Sequence, residues 1–439
     1  MSKQIQLRFT TILVAVSLGA ALLCGNSASL ASQQRKALPS PSARNLALTS
    51  ATASVLKETS EIRELSIKQP VKSATQSRPQ IERMIIKNMN EETTPAELHA
   101  TEITWKKLGL TPPDFQYRQF LIKLLSEQVA GYYEPRTKQF FIADWIDLDA
   151  QKPVMAHELT HALQDQHFNL RRFEKWPKGN SDAELAAHAL IEGDATLAMT
   201  LYIAHNPLGA LSFLKSMKAG MAASQQLDRA PRALRESLLF PYLEGSEWAR
   251  ELYKRSGWLS VSRAFTELPK STEQILHVDK YLANEQPVKV TLPDVKTLLG
   301  VGWKRVDYDV NGEWNYYLIL DEFLKSRADS KRATAGWGGD RYAVYEGPKP
   351  GDVLLAQLSV WDTERDAREF FEAYTKRTLQ RYAGAAEVSR THDSQPNLAK
   401  TFRTSEGAVT IELRGPRVLI LEGIPDRVEI PGLARACWQ

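Results

Sequence analysis

The segment His157-Glu158-Leu159-Thr160-His161-Ala162-Leu163-Gln164-Asp165 decides how this chain is read. On a helix, residues four apart project from one face, one turn apart. Both imidazoles then reach a single metal ion, at about 2.0–2.1 Å if that ion is zinc. Glu158 lies beside such an ion without ligating it. There a carboxylate can take a proton from water whose pKa the metal lowers to about 7. Small Ala156 and Ala162 permit close packing around the pair. The expected helix runs from Val154 to about Gln166, with His157 and His161 as metal ligands and Glu158 as general base.

Catalytic zinc takes three protein ligands and keeps a fourth position open. His167 stands ten residues after His157, but Gln164 occupies the place where a glycine would have to break the helix. Unbroken, ten residues advance about 280° around the axis, so His167 points elsewhere. Downstream, Glu184, His188 and Glu192 share one face of a second predicted helix. Ser181-Asp182-Ala183-Glu184 reads as a capping box, which gives Glu184 a structural role. His188 and Glu192 remain, and Glu192 is preferred because Gly193 follows it. A glycine inside a helix costs about 1 kcal/mol relative to alanine. Its presence suggests that another element approaches closely there.

The motif His157-Glu-Leu-Thr-His161-Ala-Leu-Gln-Asp165, followed by a glutamate on a second helix, resembles the gluzincin class of metallopeptidases, the thermolysin-like layout. The specific resemblance covers about Gln128 to Thr196. It implies a zinc-dependent peptidase with Glu192 as third ligand. That class often carries an acidic residue four positions after the glutamate, holding a zinc histidine. Here that position is Thr196, so Asp165 or Asp194 would have to serve. In such enzymes a histidine or tyrosine outside the motif helps stabilise the oxyanion formed during peptide hydrolysis. His277 is the expected donor, with Tyr281 and Tyr242 near it in sequence; the plain alternative is a surface or core histidine. The chain also resembles a group of uncharacterised bacterial exported proteins through Glu127-Gln-Val-Ala-Gly131-Tyr-Tyr and Ser271-Thr-Glu-Gln-Ile-Leu-His277.

Working outward, Gln139 to Ala143 reads as a short strand ahead of the motif, and an edge strand there could bind extended substrate by β-addition. Thr94-Pro95-Ala96-Glu97 reads as a helix start. Residues 32–80, rich in Ser, Ala, Thr, Lys and Gln, read as a disordered leader or linker with a little helix around Glu58 to Leu65. At the N-terminus, Lys3 and Arg8 precede the apolar run Thr11–Cys24, and small residues follow to Ala31. This is the layout of a secretory signal peptide over residues 1–31. Its removal takes away Cys24, one of two cysteines, and leaves Cys437 with no internal partner. No later run of 18 apolar residues offers a membrane span. From about Gly336 strands dominate: Val353–Val360 and Thr401–Leu413 alternate, and Thr363–Arg381 is an amphipathic helix.

Hydrophobic residues at 43% and charged residues at 25% fit a chain that buries a core. A net charge of +4 on 439 residues argues against a nucleic-acid binder, which would cluster Lys and Arg. No nucleophile-elbow motif supports Ser-His-Asp catalysis.

The expectation is an α+β protein: a mostly helical zinc-metallopeptidase domain with a small sheet (residues 81–330), then a smaller C-terminal α/β module (331–439). The expected activity is exported, zinc-dependent endopeptidase action on a peptide or protein substrate, with no nucleic-acid partner and no stable membrane span after signal removal. Two alternatives stand beside it: an envelope binding or assembly protein with a structural or decayed zinc site, and an amidase acting on cell-wall peptides.

Overall fold

Around the His157 segment the chain builds helices on a small sheet; beyond residue 300 it builds a large antiparallel sheet. A computed structural model describes residues 13–16, 41–174, 176–206, 228–390 and 397–439. The fold is α+β. Apart from Leu13–Val16, the expected signal peptide lies outside the described residues, as does 208–227, the first part of the stretch Leu208 to Phe265 that the sequence also predicts to be helical.

The small sheet has the order β1 (Leu13–Val16), β3 (Val129–Glu134), β4 (Gln139–Ala143), β2 (Lys72–Gln76). β3 and β4 form an antiparallel hairpin, and β2 adds parallel to β4. The strand at Gln139–Ala143 is therefore interior, not the edge expected from sequence. Both hairpin strands hydrogen-bond to the motif helix, β3 through the Tyr133 amide to Glu158 and β4 through the Ala143 carbonyl to Gln151.

Helices α1 (Pro41–Arg63), α2 (Arg78–Glu92), α3 (Pro95–Leu108) and α4 (Tyr117–Gln128) precede the hairpin. α3 begins as its sequence predicts: Thr94 accepts from the Glu97 N–H, and the Glu97 carboxylate accepts from the Thr94 N–H. Over the described residues 41–80 the expected disordered leader is corrected by α1, far longer than the little helix expected around Glu58 to Leu65, and by β2; 32–40 lies outside the described residues. One face of α1 buries Leu48, Val55 and Leu56 in a cluster with Met155, Leu159 and Leu163 of the motif helix. Only tertiary contact reveals this, because a helix that polar gains its stability from packing rather than propensity.

The motif helix, α5, spans Leu148–Phe168, longer than expected, because Asp147 caps it through the Asp149 and Ala150 amides. It ends where Asn169 turns left-handed at φ 55°. α6 (Ser181–His205) is buried on almost every side over its first eighteen residues. Its cap is Asn180, which accepts from the Ala183 N–H, and not the Ser181–Glu184 box expected. The Ser181 amide instead donates to Asp309, and the Asp182 carboxylate accepts from the Thr272 amide and hydroxyl. α7 (Arg232–Ser256) lies across α6, and α8 (Trp258–Ala264) and α9 (Thr272–Leu276) follow.

The large sheet has seven antiparallel strands in the order β5 (Lys304–Asp309), β6 (Trp337–Glu346), β7 (Val353–Trp361), β11 (Arg417–Ile424), β10 (Gly407–Arg414), β9 (Asn397–Thr404), β8 (Ala386–Arg390). The boundary expected at 330/331 is thus corrected, since β5 is already the sheet's edge. α10 (Gly312–Leu324) and α11 (Glu364–Arg381) cover one face; α12 (Ile430–Cys437) and the segment around Val290–Trp303 cover the other. In β11, Val418 and Ile420 join one core while Leu419 and Leu421 join the second. Both faces are buried, so the strand reads as a continuous apolar run.

A buried ion cluster ties this sheet to α3. Glu422, on β11, accepts from Arg377 at 2.8 Å, Arg381 at 2.9 Å and the Tyr382 hydroxyl at 2.9 Å. Arg377 also donates to the Leu108 carbonyl. Burial would raise the Glu422 carboxyl, but the two guanidinium groups hold it down to about 2, against an ordinary 4.5. A carboxyl depressed in the folded state stabilises fully above its unfolded pKa and loses that stabilisation as pH falls. Acid unfolding followed by circular dichroism should therefore show stability falling from about pH 4.5 towards 2. The Glu422→Gln variant should start less stable and show a flatter pH dependence in that window.

Candidate metal centre

Two helices meet at the candidate centre. α5 presents His157 and His161 one turn apart, and α6 presents Glu192 opposite them. The His157 and His161 Nε2 atoms are 3.1 Å apart. Glu192 Oε2 lies 3.0 Å from the first and 3.4 Å from the second. Tetrahedral zinc with bonds of about 2.0–2.1 Å separates its ligand atoms by roughly 3.3–3.4 Å. The three donor atoms thus converge within a few tenths of an ångström of what zinc requires. Two imidazoles and one carboxylate are also the right chemistry for it.

The charges agree with the geometry. Burial opposes a charged His161, yet the Glu192 and Glu158 carboxylates outweigh it and raise this histidine to about 9. Burial lowers His157 below its ordinary value. Glu192, whose burial alone would raise it, is held down to about 2, chiefly by His161. The pocket is negative enough to hold one positive charge among its histidines, and a divalent cation would answer the same field.

Glu158 is fully buried on the helix face that meets the sheet. Its Oε2 accepts the Tyr133 amide of β3 at 2.7 Å, which fixes the carboxylate beside the ligands. This gives the Gly131-Tyr132-Tyr133 stretch a role. A Cβ at Gly131 would come 3.0 Å from the Phe141 carbonyl, so glycine there lets the hairpin close. Tyr133 also donates through its hydroxyl to Asp165 at 3.0 Å. Asp165 in turn accepts the Leu170 amide, so it secures the helix end and not a histidine.

Gly193 behaves as the sequence suggested. A Cβ there would meet the Gly245 backbone of α7 at 2.2 Å, and one at Gly245 would meet the Ala189 carbonyl at 2.2 Å. Paired glycines let α6 and α7 cross in backbone contact. One turn before Gly245, Tyr242 is thereby laid against the centre. Its ring stacks on His157 with centroids 6.1 Å apart, and its hydroxyl hydrogen-bonds to Glu192. Burial and the nearby carboxylates push this phenol well above its ordinary value.

The other candidates lie elsewhere. His167 bonds to the Ser66 carbonyl at 2.8 Å. Glu184 and His188 are not in the converging group, which consists of His157, His161 and Glu192. His277, expected as a catalytic donor, pairs with Glu313 at 2.9 Å, and this carboxylate raises its pKa. Thr272, five residues earlier, sits on Asp182 at the start of α6, about 15 Å along the helix from Glu192. The Ser271–His277 stretch is a clasp between α6 and α10, and among the described contacts none brings His277 to the centre. Tyr281 donates to the Glu267 carbonyl. Of the three residues considered for this role, the structure brings only Tyr242 to the candidate centre.

A second acidic group, Glu273, Glu285 and Asp362, encloses the Lys280 ammonium at 2.6, 2.8 and 2.5 Å. It is a salt-bridge knot already filled by its own cation.

A family model described as a domain of unknown function (DUF8575) matches residues 297–433. That stretch coincides with the seven-stranded sheet and its helices and does not include the centre. No curated protein and no solved structure matches the chain.

Proposed function

We propose that this protein is an exported zinc-dependent endopeptidase, with His157, His161 and Glu192 holding the metal and Glu158 as general base. The observation that carries the reading is the convergence of three donor atoms within 3.0–3.4 Å, beside a carboxylate that ligates nothing in the set. Zinc held there would supply Lewis acidity, polarising a carbonyl and making water a nucleophile at neutral pH. The protein's own groups do the rest. Glu158, oriented by the Tyr133 amide, accepts the proton lost as water's oxygen bonds to the peptide carbon. It then delivers that proton to the amide nitrogen as the carbon–nitrogen bond breaks. Tyr242, protonated at neutral pH, gives its hydroxyl hydrogen to Glu192 and would serve a substrate oxygen by turning it from that carboxylate. Export rests on the signal-like residues 1–31.

One observation favours a second reading, a structural zinc in an envelope binding or assembly protein. His157, Glu158, His161 and Glu192 are each at most 5% exposed, as in a closed structural site.

The test is metal content by elemental mass spectrometry of the purified protein and of His161→Ala, paired with cleavage of an unstructured protein such as casein. About one zinc per chain, absent from His161→Ala, with cleavage by the wild type, is the expected result. Zinc without cleavage of any peptide would favour the structural reading. No zinc in the wild type, even after incubation with excess metal, would end both.

A further inference from the structure

We infer that Arg63, on the N-terminal helix α1, is a positioning residue for the metal ligand His161, acting through Asp194 and Gln164. The inference rests on the zinc reading above and adds to it a segment that lies 98 positions before that ligand.

The chain of contacts is continuous and buried. His161 Nδ1 lies 2.8 Å from Gln164 Oε1. Gln164 Nε2 donates to Asp194 Oδ2 at 2.8 Å and to the Ile191 carbonyl at 3.0 Å. Two acceptors on the nitrogen side settle which way the amide faces, so its oxygen must face the imidazole. His161 Nδ1 therefore carries a hydrogen, and Nε2, which faces His157 and Glu192, is the nitrogen left for a metal to take in place of a proton. That is the tautomer a metal needs.

Asp194 is itself held. Arg63 grips it in a bidentate pair, Nε to Oδ1 and Nη2 to Oδ2, the second bond 3.1 Å long. Both side chains are completely buried. Arg63 also donates to the Ser262 hydroxyl at 3.1 Å, and its guanidinium lies 4.3 Å over the Trp258 ring of α8. The Trp258 indole donates back to the Ile62 carbonyl, closing the end of α1 against α8. A planar guanidinium in a fork-to-fork pair fixes orientation as well as charge. The fork sets the Asp194 carboxylate plane, which sets the Gln164 amide, which sets the imidazole. A segment that composition marks as a leader thus completes the metal centre.

A merely structural salt bridge makes a different prediction. Replacing both members of a buried ion pair with apolar residues of similar size is often neutral or stabilising, whereas removing one strands a buried charge. The double variant Arg63→Met/Asp194→Leu should therefore fold, with chemical denaturation of the metal-free protein close to wild type. It leaves Gln164 Nε2 with one acceptor and a looser amide. Loss of such an outer partner typically costs about 10–100-fold in metal affinity.

The experiment titrates cobalt(II), then zinc(II) in competition with a chromophoric chelator, into wild type, the double variant and Arg63→Lys. The expected result is a roughly 10–100-fold weaker metal in the double variant with altered cobalt visible bands, and an intermediate value for Arg63→Lys. Wild-type affinity and spectrum in a folded double variant would overturn the positioning role and leave the metal centre standing. If the wild type binds neither metal, the inference falls together with the reading beneath it. If the double variant does not fold, Arg63→Lys decides, because an unchanged affinity there would overturn the role.

Discussion

Glu158→Gln is expected to retain about one zinc per chain and to lose peptide cleavage by roughly 10²–10⁴-fold, the usual contribution of a positioned general base. Glutamine keeps an oxygen that can accept the Tyr133 amide, now bonded to Oε2 at 2.7 Å, so the helix and hairpin should stay in register. It cannot take the proton from water. Glu158 is absent from the converging ligand set, so metal should remain. Initial rates on a quenched fluorescent peptide, with zinc content measured on the same samples, check both halves. Undiminished cleavage would remove Glu158 from the mechanism. Loss of zinc along with cleavage would place it among the ligands instead.

Gly193→Ala is expected to destabilise the protein by about 3 kcal/mol or more, at the upper end of what overpacking costs. Alanine is the better helix former by about 1 kcal/mol, so local propensity predicts the opposite sign. The tertiary structure decides the matter. The added carbon would stand 2.2 Å from the carbonyl carbon and oxygen of Gly245, both backbone atoms. Real Cβ atoms essentially never come within 3.0 Å of such a neighbour, and both are backbone, so α6 and α7 must shift apart. Around the crossing lie Leu190, Phe240, Trp248 and Leu252, all fully or almost fully buried, and separation would open that core. It would also draw Tyr242 away from His157. Urea unfolding of the metal-free protein gives the sign directly. A gain in stability would mean that the helices do not cross at this point.

How far each feature was legible depended on the range of the interaction that makes it. His157, Glu158 and His161 are one turn of one helix, so their spacing alone aligns them, and α5 carries them as expected. Gly193 announced a close approach, and Glu192 beside it joins the histidines. The alternating strands of the C-terminal module were likewise local patterns, though its start at β5 was not. A short strand such as Lys304–Asp309 has no signature that says which sheet it will join.

His277 failed as a donor because nearness in sequence to Tyr242 and Tyr281 says nothing of where a loop is pinned; Glu313 and the Asp182 clasp decide that. Tyr242 reached the centre only because two glycines, fifty-two positions apart, let two helices touch.

Arg63 is the clearest division. Its polar neighbourhood marks a solvated leader, since composition weighs average burial and not one partner. In the folded chain it is wholly buried on Asp194. Sequence by itself determined the local chemistry: which side chains share a helix face and which strands alternate. Only tertiary structure decided which distant carboxylate, phenol and guanidinium complete the centre, because those contacts depend on how helices cross, and no residue spacing encodes that.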